Sequence, residues 1–249
     1  MNNLLKNDEK LEDLQLDGLQ IIQSKKFYRF TSDAVILANF VSVGSKDFLM
    51  DLGTGSGIIA ILTAYKNKPK KVFGIELQEE LADMARRSVQ FNKLENLIEI
   101  INCDIKELQS AKIRQELNIS EADVVVCNPP YKKAGTSALN NTENKSIARH
   151  EVALNMDELL KVVKVLLKYG GRFYVVYDSN RTAELISKLK TNNLEPKKIF
   201  FTQPSPDNDA TLVFVEAVKG GKEGVKVLPV LITNDKDGKY LEKIKNLKF

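Results

Sequence analysis

Short apolar runs alternate with amphipathic stretches along most of this chain. Residues 48–52 (FLMDL) form an apolar run that ends in Gly53-Thr54-Gly55-Ser56-Gly57, and IIAILTAYKNK after it reads as a helix. Residues 71–77 (KVFGIEL) predict a second strand. Residues 78–92 carry Leu81, Met84, Ala85 and Val89 at helical spacing. Residues 98–102 (IEIIN) predict a third strand, and residues 106–120 a polar helical connection. The run DVVVC over 123–127 is short and wholly apolar after its first residue, as a buried central strand would be.

A polar segment with no apolar period follows, residues 132–151. Segments of this length without periodicity tend to be functional or disordered. The helical pattern resumes over 157–168, introduced by Asn155-Met156-Asp157-Glu158, which has the form of a capping box. Gly170-Gly171 is expected to stop this helix and lead into a strand over 172–177. A helix over 183–191, a strand around 198–202 and a last strand over 210–218 complete the pattern. The alternation predicts an α/β fold: a mostly parallel, seven-stranded sheet with helices on both faces and an antiparallel C-terminal edge.

The first 45 residues are less regular. Thr31-Ser32-Asp33 offers capping chemistry for a helix over 34–41. The expected organisation is an N-terminal extension (1–45) packed on a catalytic domain (46–219), then a tail (220–249) beyond the linker Gly220-Gly221-Lys222-Glu223-Gly224.

Composition narrows the classes. With 249 residues and 43% hydrophobic residues the chain can bury a full core, which excludes a disordered chain and a disulfide-stapled mini-fold. The two cysteines, Cys103 and Cys127, lie in apolar stretches and suit a reducing compartment. No apolar run approaches roughly 18 residues, and the N-terminus lacks the order of a signal peptide, so a cytoplasmic protein is expected. There is no Cys/His cluster for a metal. The net charge of +4 permits a nucleic-acid partner without demanding one.

The candidate chemistry gathers at strand ends. A glycine turn between strand and helix presents backbone N–H groups at a helix N-terminus, although an isolated one can be only a tight connection. Dinucleotide sites need G-x-G-x-x-G. Here the spacing is G-x-G-x-G, and Asp51 before the turn would repel a pyrophosphate but suit a cationic ligand. Glu76 closes the second strand and can accept a ribose diol. Asp104, before Ile105, closes the third and can meet an adenine amine. Carboxylates at three successive strand ends line one crevice, where open α/β sheets bind ligands. A ligand with ribose, adenine and ammonium groups but no phosphate fits them, and S-adenosylmethionine is the candidate.

With these residues the chain resembles the class I S-adenosylmethionine-dependent methyltransferases. The resemblance implies their Rossmann-like fold and cofactor contacts from Asp51, Gly53, Thr54, Gly55, Gly57, Glu76, Leu77, Asp104 and Ile105, with Thr31 and Asn128 beside them. Asn128-Pro129-Pro130-Tyr131, directly after the fourth strand, resembles the (N/D/S)-P-P-(Y/F/W) motif of enzymes that methylate nitrogen attached to a planar system. In that family the Asn oxygen and the first Pro carbonyl accept hydrogens from the target amine, and the aromatic residue stacks on it. Those roles fall here to Asn128, Pro129, Pro130 and Tyr131.

Four kinds of enzyme share the motif, acting on DNA adenine, RNA adenine, rRNA guanine and protein glutamine. With the turn starting at residue 51 and only a polar segment and a short tail beyond the motif, a DNA target-recognition domain, a helical domain ahead of the turn and a second degenerate copy of the fold are not expected. The stretches 30–38 (FTSDAVILA), 148–151 (ARHE) and 231–240 (LITNDKDGKY) resemble the tRNA1(Val) adenine-37 N6-methyltransferases. That resemblance implies a tRNA substrate, S-adenosylmethionine as cofactor, and no need of a metal, membrane or protein partner. It puts His150, with Arg149, near the substrate mouth, where a structural or solvated histidine is the alternative. Lys132, Lys133, Lys145 and Arg149 give the loop a cationic character suited to phosphate contacts, with a solvated loop as the alternative for each. A glutamine methyltransferase acting on a release factor and an rRNA guanine N2-methyltransferase remain the rival readings.

Overall fold

The computed structural model describes residues 4–27, 30–129, 155–235, 247 and 249. Two strands, β1 (Glu9–Asp13) and β2 (Gln20–Ser24), pair antiparallel ahead of the main sheet. Helix α1 (Ser32–Phe40) follows, and then four strand–helix alternations: β3 (Phe48–Leu52), α2 (Ile58–Asn67), β4 (Lys71–Glu76), α3 (Glu79–Phe91), β5 (Ile98–Asn102), a 3-10 turn at Ile105–Gln109, α4 (Ala111–Glu116), β6 (Ala122–Cys127) and α5 (Met156–Leu166). The chain continues as β7 (Leu167–Asp178), α6 (Thr182–Thr191), β8 (Leu194–Gln203), β9 (Leu212–Lys219), β10 (Lys226–Val227) and β11 (Leu231–Ile232).

The sheet runs β5-β4-β3-β6-β7-β9-β8, with β10 and β11 both parallel to β8 on its outer edge. The pairs among β5, β4, β3, β6 and β7 are parallel. The antiparallel element expected at the C-terminal end is β9. It lies one strand inside the edge, antiparallel to β7 and β8 alike. The two extra short strands belong to the segment read from sequence as tail, where two-residue pairings leave no periodic signal.

Strand alternation divides the core into two faces. Leu49, Val72, Val124, Val126 and Tyr174 face the side covered by Ile36 and Leu37 of α1, by α2, and by Ala82, Ala85 and Val89 of α3. Met50, Leu52, Val125, Cys127 and Val175 face the side covered by α5 and α6. Continuous apolar runs in β3 and β6 follow from this burial on both faces.

Most element boundaries match the periodicity to within two residues. The largest departure is β7, which begins at Leu167 rather than after the glycines. Ala122 pairs Leu167 and Val124 pairs Arg172, so residues 168–171 bulge out of the ladder. Gly170 takes φ of +76° there, a conformation suited to glycine. Glycines thus shape a bulge inside the strand instead of marking its start. The capping box of α5 is present: Asn155 Oδ1 accepts from the Glu158 amide at 2.9 Å, and Glu158 Oε2 accepts from the Asn155 amide at 3.2 Å. Among the described residues no helix is long and apolar enough to cross a membrane.

Candidate active site

The C-terminal ends of β3, β4, β5 and β6 carry Asp51 with the glycine turn, Glu76, Asp104 and Asn128-Pro129. β3 and β6 are direct neighbours, with Asp51 opposite Val126 and Leu52 opposite Cys127. The glycine turn after β3 therefore stands beside Asn128-Pro129 after β6.

Three glycines of the turn have positive φ: Gly53 (+73°), Gly55 (+57°) and Gly57 (+91°). Side chains rarely adopt such angles, so the turn requires glycine. A Cβ on Gly53 or Gly55 would stand in open space, with nothing within 4 Å. Gly53 is exposed, so the backbone there is open to a ligand. Gly57 opens α2 as its N-cap, and the Ile61 amide donates to its carbonyl at 2.9 Å.

Asp51 is fully buried beneath this turn. Its Oδ2 accepts from the Thr54 hydroxyl at 2.6 Å, and its Oδ1 is buried with no hydrogen-bond partner among the described residues. Burial pushes its carboxyl up to about 7; the Thr54 hydroxyl and the Ala60 amide oppose this, and nearby Glu76 adds to it. An under-satisfied acid under an open glycine cradle suits a cationic ligand group above the turn. Thr54 is itself buried, and Gly74, opposite Asp51 in β4, leaves the space that Thr54 occupies.

Glu76 is buried at the end of β4 and engages both neighbours with its two oxygens. Oε2 accepts from the Gly55 amide at 2.9 Å and Oε1 from the Gln78 amide at 2.9 Å. Burial raises its carboxyl above the ordinary range, while the amides of Gln78, Gly55 and Leu77 hold it down. Each oxygen keeps a second lone pair for a diol. Leu77, which follows this acid in the chain, is 41% exposed.

Asp104 follows β5 and caps the 3-10 turn, accepting from the Lys106 amide at 2.9 Å. Ile105 beside it is buried in the α5–α6 face of the core. Cys103 and Cys127 are both free thiols, and burial pushes Cys103 up to about 11 and Cys127 well above its usual value. Neither environment favours a thiolate.

Asn128 is half-buried and Pro129 buried. The Asn128 amide donates from Nδ2 to Asp33 Oδ2 at 3.4 Å. Asp33 is buried near the start of α1, where its Oδ1 accepts from the Ala34 amide at 3.0 Å and from the Thr31 hydroxyl. Thr31, the N-cap of α1, is thus joined to Asn128 through Asp33. Pro130, Tyr131, Lys132, Lys133, Arg149 and His150 lie outside the described residues.

Two residues here leave little mark on the sequence. Asp33 stood in the Thr31-Ser32-Asp33 capping stretch, but nothing in a linear pattern says that it reaches a residue 95 positions away. Asn102 donates from Nδ2 to the carbonyls of Glu76 and Leu77, each at 2.9 Å, and so fixes the end of β4. A polar residue closing an apolar strand was its only signal.

Comparison with known proteins places this chain in a family. Residues 44–243 match the family described as "Methyltransferase domain". The tRNA1(Val) (adenine(37)-N6)-methyltransferase of Aliivibrio salmonicida is 25% identical over 186 residues, covering 75% of each chain. The protein of the same name from Bacteroides thetaiotaomicron is 32% identical over 146 residues, 58% of this chain and 57% of the relative. These relatives bear out the resemblance carried by the stretches flanking the motifs. Among solved structures, a predicted O-methyltransferase from Agrobacterium tumefaciens superposes with a TM-score of 0.66 at 22% identity, covering 86% of this chain and 95% of its own. The M. jannaschii tRNA m1G37 methyltransferase gives 0.56 at 15% identity over 87% of this chain and 56% of its own, and both share the fold. The chain therefore belongs to the methyltransferase domain family and is an S-adenosylmethionine-dependent methyltransferase.

Proposed function

We propose that the chain methylates the exocyclic N6 amine of an adenine in tRNA, with adenine-37 of tRNA1(Val) as the target. The observation that carries this reading is the juxtaposition of Asn128-Pro129 with the glycine turn across neighbouring strands β6 and β3. It is supported by the names of the relatives and by the Asn-Pro-Pro-Tyr stretch, which suits an amine on a flat ring.

In this reading Gly53, Thr54, Gly55 and Gly57 form the floor under the methionine part of the cofactor, with Asp51 beneath and Thr31 beside it. Glu76 takes the ribose diol, and Leu77, Asp104 and Ile105 border the adenine. S-adenosylmethionine supplies an electrophilic methyl on a sulfonium. Asn128 Oδ1 and the Pro129 carbonyl accept hydrogens from the target amine, which favours an sp³-like nitrogen and offsets the charge growing on it. No strong base is required before transfer. Pro130 stiffens the chain after Pro129, and Tyr131 stacks on the base, which must leave its own stack to enter. Lys132, Lys133, Arg149 and His150 meet the RNA, the cations through phosphates. Residues 46–219 act as the catalytic domain, 1–45 as its packed extension and 220–249 as a tail, in a cytoplasmic enzyme.

Labelled methyl transfer to total tRNA and to release factors from a deletion strain tests the reading. Label is expected in tRNA, with N6-methyladenosine missing from one tRNA of that strain. Label in release factor and none in tRNA would replace this reading with the glutamine one.

A further inference from the structure

We infer that Asp33 is a positioning residue that fixes which way the Asn128 amide faces, an inference that rests on the amine-methylating reading above. Asn128 has an oxygen and an NH₂ group at the end of one rotatable bond, and the two ends have opposite hydrogen-bond roles. Only the oxygen can accept from a target amine; a flipped amide would turn two N–H donors toward it. Something must therefore hold the NH₂ away from the substrate.

Asp33 is placed to do so. It is buried, and its Oδ2 lies 3.4 Å from Asn128 Nδ2, the long end of the hydrogen-bond range. A carboxylate oxygen only accepts, so the group facing it must be the donor end of the amide. Asn128 Oδ1 is then left for the crevice. Asp33 is itself fixed: Oδ1 accepts from the Ala34 amide at 3.0 Å and from the Thr31 hydroxyl. The first turn of α1 thus orients a side chain on the far end of β6. Asp33 touches no reacting atom in this scheme.

The isosteric substitution Asp33→Asn separates the two roles of this carboxyl. An asparagine can keep an oxygen toward Thr31 and Ala34, but it then presents NH₂ to the NH₂ of Asn128. Asp33→Asn is expected to lower kcat on tRNA by at least tenfold, with the KM for tRNA and the S-adenosylmethionine affinity by calorimetry within threefold. The double variant Asp33→Asn/Asn128→Asp restores a donor–acceptor pair with the donor moved to position 33, and keeps an oxygen toward the crevice. It is expected to be more active than either single variant. In protein labelled with ¹⁵N-asparagine, the side-chain amide signal that disappears in Asn128→Ala should shift in Asp33→Asn.

The controls separate the two levels. An Asn128→Ala variant as active as the natural protein would overturn the amine-binding role of Asn128, and with it the function reading. If Asn128→Ala is inactive while Asp33→Asn keeps full kcat, or if the double variant is no better than the singles, Asp33 does not position the amide. An unmoved Asn128 amide signal overturns the inference even if tRNA proves to be the wrong substrate.

Discussion

The Gly55 amide donates to Glu76 Oε2 at 2.9 Å, so the turn after β3 and the end of β4 are joined across the crevice. Both partners lie where the cofactor is proposed to sit. One carboxylate therefore has two tasks: it holds the backbone cradle closed on one side and offers its remaining lone pairs to the ligand.

This dual task predicts how Glu76 variants behave. Glu76→Ala is expected to weaken S-adenosylmethionine binding by at least tenfold in calorimetry. Glu76→Gln should fall between, because its NH₂ must face one of the two amides now bound by an oxygen. Equal affinity in all three proteins would remove Glu76 from the cofactor site.

Asp51 predicts a pH dependence of the ligand-free protein. Its carboxyl is raised by burial from 3.8 to about 7, so between these values the folded protein keeps a proton that the unfolded chain has released. Folding stability must then fall as pH rises through that window and level off above the folded value. Each unit of such a shift is worth about 1.4 kcal/mol. Glu76 is raised as well and adds in the same direction. Urea midpoints between about pH 5 and pH 8 should decline in the natural protein and decline less in Asp51→Asn. Identical slopes in the two proteins would assign the effect elsewhere.

Gly74 predicts a steric coupling between β4 and the turn. A Cβ there would lie 2.7 Å from Ile100 Cδ1 and 3.0 Å from Thr54 Cγ2. Gly74→Ala should cost about 1–3 kcal/mol through overpacking. Ile100→Val removes the nearer atom, so the double variant should regain part of that loss by thermal denaturation. A stable Gly74→Ala protein would mean that Thr54 and Ile100 move aside freely.

The cap of α5 predicts a smaller effect away from the crevice. Asn155→Ala removes the side chain that accepts from the Glu158 amide and should cost about 1 kcal/mol. Chemical denaturation checks it, and catalytic parameters are expected to change little. A loss above the 2 kcal/mol that roughly bounds measured caps would show that Asn155 does more than cap.

The strands and helices around the site were legible because each has a simple repeat. β3 and β6 are buried on both faces and read as apolar runs, α3 carries its apolar face at helical spacing, and the turn needs glycine at positive φ. The relations that tune the site were not legible in this way. Asp33 resembled an ordinary helix-start residue, and only the fold brings it to Asn128. Asp104 stood out as an acid at a strand end, yet its local partner is the amide of Lys106. The bulge before Arg172 escaped because Gly-Gly ends helices and bends strands with equal ease. Short-range chemistry leaves a mark on the sequence; pairings between distant residues do not.

The position of β9 has a consequence for how the molecule is made. β8 leaves the ribosome before β9, yet among the described residues it joins the long sheet through β9, which separates it from β7. During synthesis the strands that carry the glycine turn, Glu76 and Asn128 can pair among themselves while β8 waits without its inner neighbour. The waiting strand offers unpaired amides and carbonyls to any other extended chain nearby. Arrival of Leu212–Lys219 satisfies its inner edge, and β10 and β11 then cover part of the outer one. Truncations that remove these last elements should therefore reveal themselves first as aggregation of nascent protein.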